Sequence, residues 1–340
     1  MEFTVLQVLW YFLIFLLIAG YFVLDGFDLG AGVLMPFLAK NEEERDVIRR
    51  SIGPVWDGNE VWLLTAGGAL FAAFAPAYAT TFSGFYLAIM LVLFGLIIRA
   101  VAIEYAHRDA KWRPFWNVLF VIGSLLPALL FGVAVGNIYA GIPMDAGGNY
   151  TGVPLLGLVT PFTLLCGLLG LAMFCAAGAG WICMKAPVDS DLRKRALGMR
   201  RIMQVVAIVL FAAISAFGHF LIQPDMVASL GALRWICAIL FCVAMVASLV
   251  IGSKGENDLL PFICQSVAAI ALVFLLASSM FPNFVVATPD SIGPAISLAN
   301  ASAGDLTLAW MTGIACIGVP LVLAYHVIVY RTFRGRLELE

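Results

Sequence analysis

The sequence predicts an all-α integral membrane protein with nine transmembrane helices, arranged as one polytopic membrane domain over residues 1–340. Two observations predict this class. Hydrophobic residues make up 63% of the 340 positions and charged residues only 12%, whereas soluble domains are about half apolar and a quarter charged. The apolar residues also fall into long runs, and a helix needs about 20 such residues to cross the hydrocarbon core of a bilayer.

Nine apolar runs are long enough to be helices of this kind. They cover residues 6–34, 55–79, 82–104, 115–140, 154–184, 203–222, 229–252, 260–281 and 306–330. The second run is rich in Gly and Ala and begins with polar residues. The first run is not typical of a cleaved signal peptide, because its start, MEFTV, is acidic and no A-x-A site follows the apolar core. The connections are short, so we expect no soluble domain.

The distribution of cations predicts the orientation of these helices. The loops after the first, third, fifth and seventh helices and the C-terminal tail together hold 17 of the 19 Lys and Arg residues. Cytoplasmic loops of membrane proteins carry such an excess of Lys and Arg. We therefore expect the N-terminus outside and the C-terminus in the cytoplasm, which agrees with an odd number of helices.

Composition also argues against several functions. A net charge of −2 offers no basic surface for nucleic acid. The seven cysteines lie in apolar runs without a C-x-x-C pair and are interpreted as buried thiols rather than metal ligands. His107 falls in a cytoplasmic loop, His219 near the outer face and His326 near the inner face. Because these histidines lie at different depths, we expect no haem iron and no other metal bound by this chain alone.

Charged residues inside the first helix point to a function. The stretch GYFVLDGFDLGAG places Asp25 and Asp28 three residues apart, and therefore on one helical face. A carboxylate within the membrane is costly unless it faces the protein interior, a water path or a partner charge. The predicted orientation puts both acids in the cytoplasmic third of the helix.

The next two helices bring further charges to the same depth. The second helix opens with GPVWDGNEVW, which carries Asp57 and Glu60, and the third ends in GLIIRAVAIEY, which carries Arg99 and Glu104. Five acids and one arginine are therefore expected on the cytoplasmic side of three consecutive helices.

Structural roles could also explain these residues. Asp57 and Glu60 have the spacing of a capping box, with Asp57 as the N-cap. Arg99 could serve only as a counter-ion, and Glu104 could be solvated at the headgroup level. Gly26 and Gly30 form a G-x-x-x-G motif, which allows another helix to approach closely.

Several longer stretches resemble subunit II of the cytochrome bd-type quinol oxidases. In the first three helices they are DGFDLGAGVL, RRSIGPVWDGNEVWLLTAGGALFAAF and FSGFYLAIMLVLFGLIIRAVAIEY. Further on they are KWRPFWNVLFVIGSLLPALLFGVAVGNI and MFPNFVVAT, followed by SLANASAGDLTLAWMTGIACIGVPLVLAYH. The middle helices match mainly in length and hydrophobicity, and the chain has a short connection where some members of the family carry a long insert.

The resemblance implies a fold of two four-helix bundles plus one peripheral helix, in the inner membrane of a bacterium. It implies a complex that oxidises ubiquinol or menaquinol and reduces dioxygen to water. Two b-type haems and one haem d, or b, are expected in the homologous subunit I and none in this chain. The family also allows for a structural quinone in this subunit, a small single-helix third subunit and bound lipid.

The resemblance also implies that acids at the positions of Asp25 and Asp57 belong to a path for cytoplasmic protons. A buried carboxylate suits this task because it can take up and release protons near neutral pH. We expect Asp25 to be the relay and Asp57 to receive protons or act as a second relay. Asp28 and Glu60 would support them, and Arg99, with Glu104, would be the charge partner. A proton-coupled transporter and a purely structural anchor are the alternative functions.

Overall fold

The computed structural model describes residues 3–222, 230–253, 255 and 257–338. Within them the helices are α1 Val5–Leu38, α2 Glu42–Ile52, α3 Trp56–Ala73, α4 Ala75–Gly84, α5 Tyr86–Tyr105, α6 Arg113–Ala140, α7 Pro161–Lys185, α8 Asp191–Phe217, α9 Gly231–Ser253, α10 Leu259–Met280, α11 Leu298–Ala301 and α12 Asp305–Thr332. A short 3-10 turn, Leu156–Leu158, precedes α7, and a π-helical turn, Gly218–Ile222, extends α8. The strands β1 Asn283–Val285 and β2 Ile296–Ser297 pair antiparallel.

Eight of the described helices are long and apolar enough to cross a membrane. They are α1, α5, α6, α7, α8 with its π-helical turn, α9, α10 and α12. The predicted class, an all-α integral membrane protein that crosses the membrane several times, is confirmed.

The predicted second span differs from the structure. Residues 55–79 were expected to form one helix, but α3 ends at Ala73 and α4 begins at Ala75, with Phe74 between them at φ −142° and ψ 59°. Pro76 explains the break, because proline cannot donate to the preceding turn and clashes with its carbonyl. In the first turn of a new helix the same residue is well tolerated. That α3 and α4 together make a ninth membrane crossing remains a prediction.

Other helix boundaries differ where polar residues extend or shorten a helix. α7 begins at Pro161 rather than at 154, because Thr160 and Thr163 form a capping box there. α8 begins at Asp191 rather than at 203, because Ser190 caps a polar first turn that hydropathy does not detect. The loop after α1 contains α2, whose acidic first turn and basic last turn suit the helix dipole. The predicted start of the seventh span, at 229, lies outside the described residues.

The connections gather at two opposite ends of the helices. At one end, Arg195 pairs with Glu44 at 2.5 Å, and Arg336 pairs with Asp258 at 2.9 Å. At the other end, the segment after α6 bridges to the segment after α10 through Ile142 and Ala287. The loops predicted as cytoplasmic therefore contact one another, and so do two of those predicted as external, the segments after α6 and α10. Which end faces the cytoplasm remains a prediction.

The helices pack as two groups around α1 and α7. In the first group, α1 contacts α3 and α6, and α5 contacts α6. In the second group, α7 contacts α8 and α10, and α9 packs along α10. α12 lies at the periphery, and only Leu308 and His326 among its side chains are buried.

Glycines bring α1 and α7 into backbone contact between the two groups. A Cβ atom on Gly30 would lie 1.8 Å from the carbonyl oxygen of Phe174, and one on Gly178 would lie 2.3 Å from the backbone nitrogen of Ala31. A Cβ on Gly26 would lie 2.6 Å from the Phe174 ring. The G-x-x-x-G motif of the first helix is therefore the surface on which α7 packs.

Candidate functional site

Arg99 joins two acids from different helices inside the protein. Its Nη2 atom donates to Oδ1 of Asp25 on α1 at 2.6 Å and to Oε1 of Glu60 on α3 at 2.5 Å. The side chains of Arg99 and Asp25 are fully buried, whereas 24% of the Glu60 side chain is exposed. One guanidinium group therefore holds two carboxylates that lie 35 positions apart in sequence.

Small residues on α6 allow Arg99 to be buried at this position. A Cβ atom on Gly123 would lie 2.6 Å from the carbonyl oxygen of Gly95 and 2.7 Å from the backbone nitrogen of Arg99. The backbone of α5 consequently lies directly on α6. A larger residue at Gly123 would push α5 away and with it the guanidinium group.

Asp28 enters the site through an amide. Nδ2 of Asn59 donates to Oδ2 of Asp28 at 2.7 Å and to the carbonyl oxygen of Leu24 at 3.1 Å. The Tyr330 hydroxyl, on α12, donates to Oδ1 of Asn59 at 3.0 Å. Asp28 and Asn59 are fully buried, so α1, α3 and α12 meet in this hydrogen-bonded chain.

Several buried polar atoms in the cluster have no hydrogen-bond partner among the described residues. They are the acceptors Asp25 Oδ2 and Asp28 Oδ1 and the donors Arg99 Nε and Nη1. Buried polar groups in folded proteins are nearly always hydrogen-bonded, to protein or to ordered water. The site therefore contains both donors and acceptors suited to bind water molecules.

Exposure decreases from Asp57 towards the acids on α1. Asp57 is exposed, Glu60 is partly exposed, and Asp25 and Asp28 are fully buried. Asp57 does not cap α3, which begins at Trp56 after Val55 and has no side-chain cap among the described residues. The capping box considered for Asp57 and Glu60 is therefore wrong.

Glu104 lies apart from this cluster. More than half of its side chain is exposed, and its nearest cation is Arg108, at 3.8 Å. It lies five positions after Arg99, a spacing that turns the two side chains to different faces of α5. The structure thus brings together Asp25, Asp28, Glu60 and Arg99, leaves Asp57 at the exposed edge and places Glu104 outside.

No group of three or more His, Cys, Asp or Glu suited to a metal occurs within the described part of the chain. His326 has both ring nitrogens engaged, Nδ1 with the Val322 carbonyl at 2.9 Å and Nε2 as acceptor from Trp62 Nε1 at 3.3 Å. Coordination of an iron through Nε2 would require this ring to give up the bond from Trp62, whereas Nδ1 could keep the Val322 carbonyl.

A separate apolar cavity of about 560 Å³ lies between the two groups of helices. Its walls come from α1, α3, α4, α6, α7, α8, α9 and α10, and include Phe22, Met173 and Phe211. His219 and Arg234 line it as well. The cavity can hold an extended apolar molecule with one polar end.

Three residues of the acidic cluster were not predicted from the sequence. Tyr21 lies one turn before Asp25, and this helical spacing could have indicated it. Asn59 lies between Asp57 and Glu60 in GPVWDGNEVW, where a buried amide is a weaker signal than a charge. Tyr330 is 271 positions away from Asn59, and no pattern in the sequence connects them.

The sequence of the chain matches one family along nearly its whole length. The family described as cytochrome bd terminal oxidase subunit II matches residues 6–333. This region contains every residue of the acidic cluster.

Individual relatives agree with this match. A probable cytochrome oxidase subunit 2 from Haemophilus influenzae is 34% identical over 99% of this chain and 96% of its own length. Subunit 2 of the cytochrome bd-I ubiquinol oxidase of Escherichia coli is 32% identical over 100% of this chain and 97% of its own. Subunit 2 of the cytochrome bd ubiquinol oxidase of Bacillus subtilis is 36% identical over 97% and 96%.

A solved structure shares the fold. A chain of the bd oxidase from Geobacillus thermodenitrificans superimposes with a TM-score of 0.79, covering 97% of this chain and 99% of that one. At 15% identity, this likeness concerns the fold alone.

Proposed function

Because the chain belongs to the family of cytochrome bd terminal oxidase subunit II, we propose that its buried acidic cluster carries protons from the cytoplasm towards the oxygen-reducing site of the oxidase. Membership of the family makes the chain a subunit of a quinol-oxidising enzyme complex, with a subunit I as its partner. The transporter alternative has no support from the relatives.

One observation carries the proposal: the decrease in exposure from Asp57 through Glu60 to the fully buried Asp25 and Asp28. Protons need polar stations to pass through hydrocarbon, and carboxylates with unpaired oxygens supply such stations. We assign Asp57 and Glu60 to proton uptake and Asp25 to the relay. Arg99 balances the negative charge, and Asp28 supports the relay through Asn59.

The haems supply the electron transfer and oxygen chemistry of the complex, and we assign them to subunit I. The bond from Trp62 to Nε2 of His326, which an axial ligand would have to give up, supports this assignment. For the partner's position, we propose the face of α3 that carries Asp57 and Glu60. Polar side chains there are poorly suited to contact lipid tails.

The apolar cavity is our candidate for a structural quinone. A long apolar tail would lie among Phe22, Met173 and Phe211, and His219 or Arg234 would face a polar headgroup. We place the complex in the bacterial cytoplasmic membrane, with ubiquinol or menaquinol as the electron donor. A small single-helix subunit would bind the peripheral helices.

Asp25→Asn in the purified complex tests the relay. Asn is close to Asp in size but cannot exchange a proton in this pH range. The substitution leaves Arg99 paired with Glu60, at 2.5 Å, so the guanidinium group keeps a carboxylate partner. We expect normal haem content and assembly, with quinol-driven oxygen consumption reduced on the order of a hundredfold.

Two further variants serve as controls. Asp25→Glu keeps the titratable group and should retain more activity than Asp25→Asn. Glu104→Gln neutralises an exposed acid on α5 outside the cluster and should leave turnover unchanged. Full activity of a fully assembled Asp25→Asn complex would refute the relay. Loss of haem instead of turnover would support a purely structural role as the counter-ion of Arg99.

A further inference from the structure

We infer that Tyr330 is a positioning residue for the acidic cluster, because its hydroxyl fixes the Asn59 amide that binds Asp28. The contact is a property of the chain itself, and its effect on turnover rests on the proposed proton path. α12, the peripheral helix, thereby becomes part of the site although it contributes no acid to it.

The hydrogen bonds around Asn59 allow one orientation of its side chain. The NH2 group faces the Leu24 carbonyl at 3.1 Å and a carboxylate oxygen of Asp28 at 2.7 Å, and a carbonyl or an ionised carboxylate can only accept. The amide oxygen faces the Tyr330 hydroxyl, which donates to it at 3.0 Å. Rotating the amide by half a turn would place its oxygen against two acceptors.

A change of protonation at Asp28 would weaken this preference. A protonated Asp28 can donate, and the oxygen of a rotated Asn59 amide could then accept from it, but that oxygen would still face the Leu24 carbonyl, which can only accept. The Tyr330 hydroxyl can donate or accept, so it anchors the far end of the amide while the Leu24 carbonyl sets the orientation. Tyr330 therefore holds the Asn59 side chain against Asp28 while the cluster changes charge.

Hydrogen bonds at the end of α12 keep Tyr330 in place. Lys185 Nζ donates to the carbonyl of Phe333 at 2.5 Å, and the backbone nitrogen of Leu337 donates to the carbonyl of Lys185 at 2.7 Å. Arg336 donates to the carbonyls of Cys183 and Ala186 at 2.7 and 2.6 Å. The tail thus binds the end of α7 within about two turns of Tyr330, on a helix that is otherwise little buried.

The charged and titratable groups around Asp28 come from each helix that meets there. They are Asp25 and Tyr21 from α1, Glu60 from α3, with Asp57 beside it, Arg99 from α5, and Tyr330 from α12. Asn59 is the neutral group that donates directly to Asp28. A change in the orientation of the Asn59 side chain therefore alters the hydrogen bonding of Asp28 directly.

Tyr330→Phe in the complete oxidase complex tests the inference, because it removes only the hydroxyl. Infrared spectroscopy of the carboxyl and carboxylate bands, with Asp28→Asn to assign the Asp28 band, reports directly on the contact. We expect the Asp28 band to shift. We expect turnover to fall about five- to thirtyfold, the factor that corresponds to losing one buried hydrogen bond, with unchanged haem content.

Tyr325→Phe is the matched control. Tyr325 lies on the same helix, is half exposed, and its hydroxyl makes no hydrogen bond among the described residues. It should move neither the Asp28 band nor turnover. A second measurement combines Tyr330→Phe with Asn59→Ala, since residues that act through one another show non-additive effects. In that background the loss of the Tyr330 hydroxyl should add no further shift.

The results separate this inference from the proposed function. An unmoved Asp28 band in Tyr330→Phe, or the same shift in Tyr325→Phe, overturns the inference whatever happens to turnover. A shifted Asp28 band in Tyr330→Phe supports the inference, whether or not turnover changes. A shifted band with unchanged turnover would count against a proton path through Asp28. Full activity of Asp25→Asn would refute the relay and leave the infrared result of Tyr330→Phe intact.

Discussion

Gly30→Ala should disrupt the contact between α1 and α7. The added Cβ atom would lie 1.8 Å from the carbonyl oxygen of Phe174, 2.4 Å from its carbonyl carbon and 2.9 Å from the backbone nitrogen of Cys175. Ordinary van der Waals contact begins at 3.4 Å, so the two backbones would have to separate by about 1.6 Å at this point. No side-chain rotation can relieve the clash, because every one of these atoms belongs to the backbone.

The cost should be large because α1 also carries the acids. Overpacking a core typically costs about 1–3 kcal/mol, and a clash with rigid backbone lies at the upper end or beyond. Asp28 is half a turn from Gly30, so displacement of α1 would also strain the bonds of Asp25 and Asp28. We expect Gly30→Ala to lower the thermal midpoint of the complex and its yield, with haem lost in proportion.

Gly198→Ala is the matched control for this experiment. Gly198 lies inside α8, and a Cβ atom there would meet nothing within 4 Å. Alanine is favoured over glycine within helices by about 1 kcal/mol, so the control should be neutral or slightly more stable. A Gly30→Ala complex with the yield and thermal midpoint of Gly198→Ala would refute the close contact between α1 and α7.

The meeting of Asp25, Glu60 and Arg99 could be expected from the sequence because depth alone constrains it. Three helices that follow one another in the sequence carry these charges near the same membrane face. Buried charges at one depth have few partners other than one another. The resemblance of the chain to the bd oxidase family, confirmed by its relatives, rested on the same motifs. Composition was likewise sufficient for the fold class.

Local signals that compete with hydropathy explain the differences. The break at Phe74 could have been expected from Pro76, but the apolar run continues through it and favours one helix. The polar first turns of α8 and the whole of α2 lie outside apolar runs, where caps rather than hydropathy set the boundaries. The bond between Tyr330 and Asn59 depends on how the peripheral helix packs, which no local pattern contains.

Two further predictions concern the charge balance and the orientation of the chain. Arg99→Gln leaves both Asp25 and Glu60 without their cation, and breaking a buried ion pair costs about 3–5 kcal/mol. The complex should therefore unfold at a lower temperature than Asp25→Asn, and equal midpoints would contradict the pairing. For orientation, reporters fused after Arg201 or at the C-terminus should be cytoplasmic, and one near Asp145 should be external. The reason is that 17 of the 19 cations lie in loops and a tail assigned to one side. The contacts of Arg195 with Glu44 and of Arg336 with Asp258 join four of these segments at one end of the helices. If the reporters read the opposite way, the acids would face the outside, and a path for cytoplasmic protons through Asp57 and Asp25 would be ruled out.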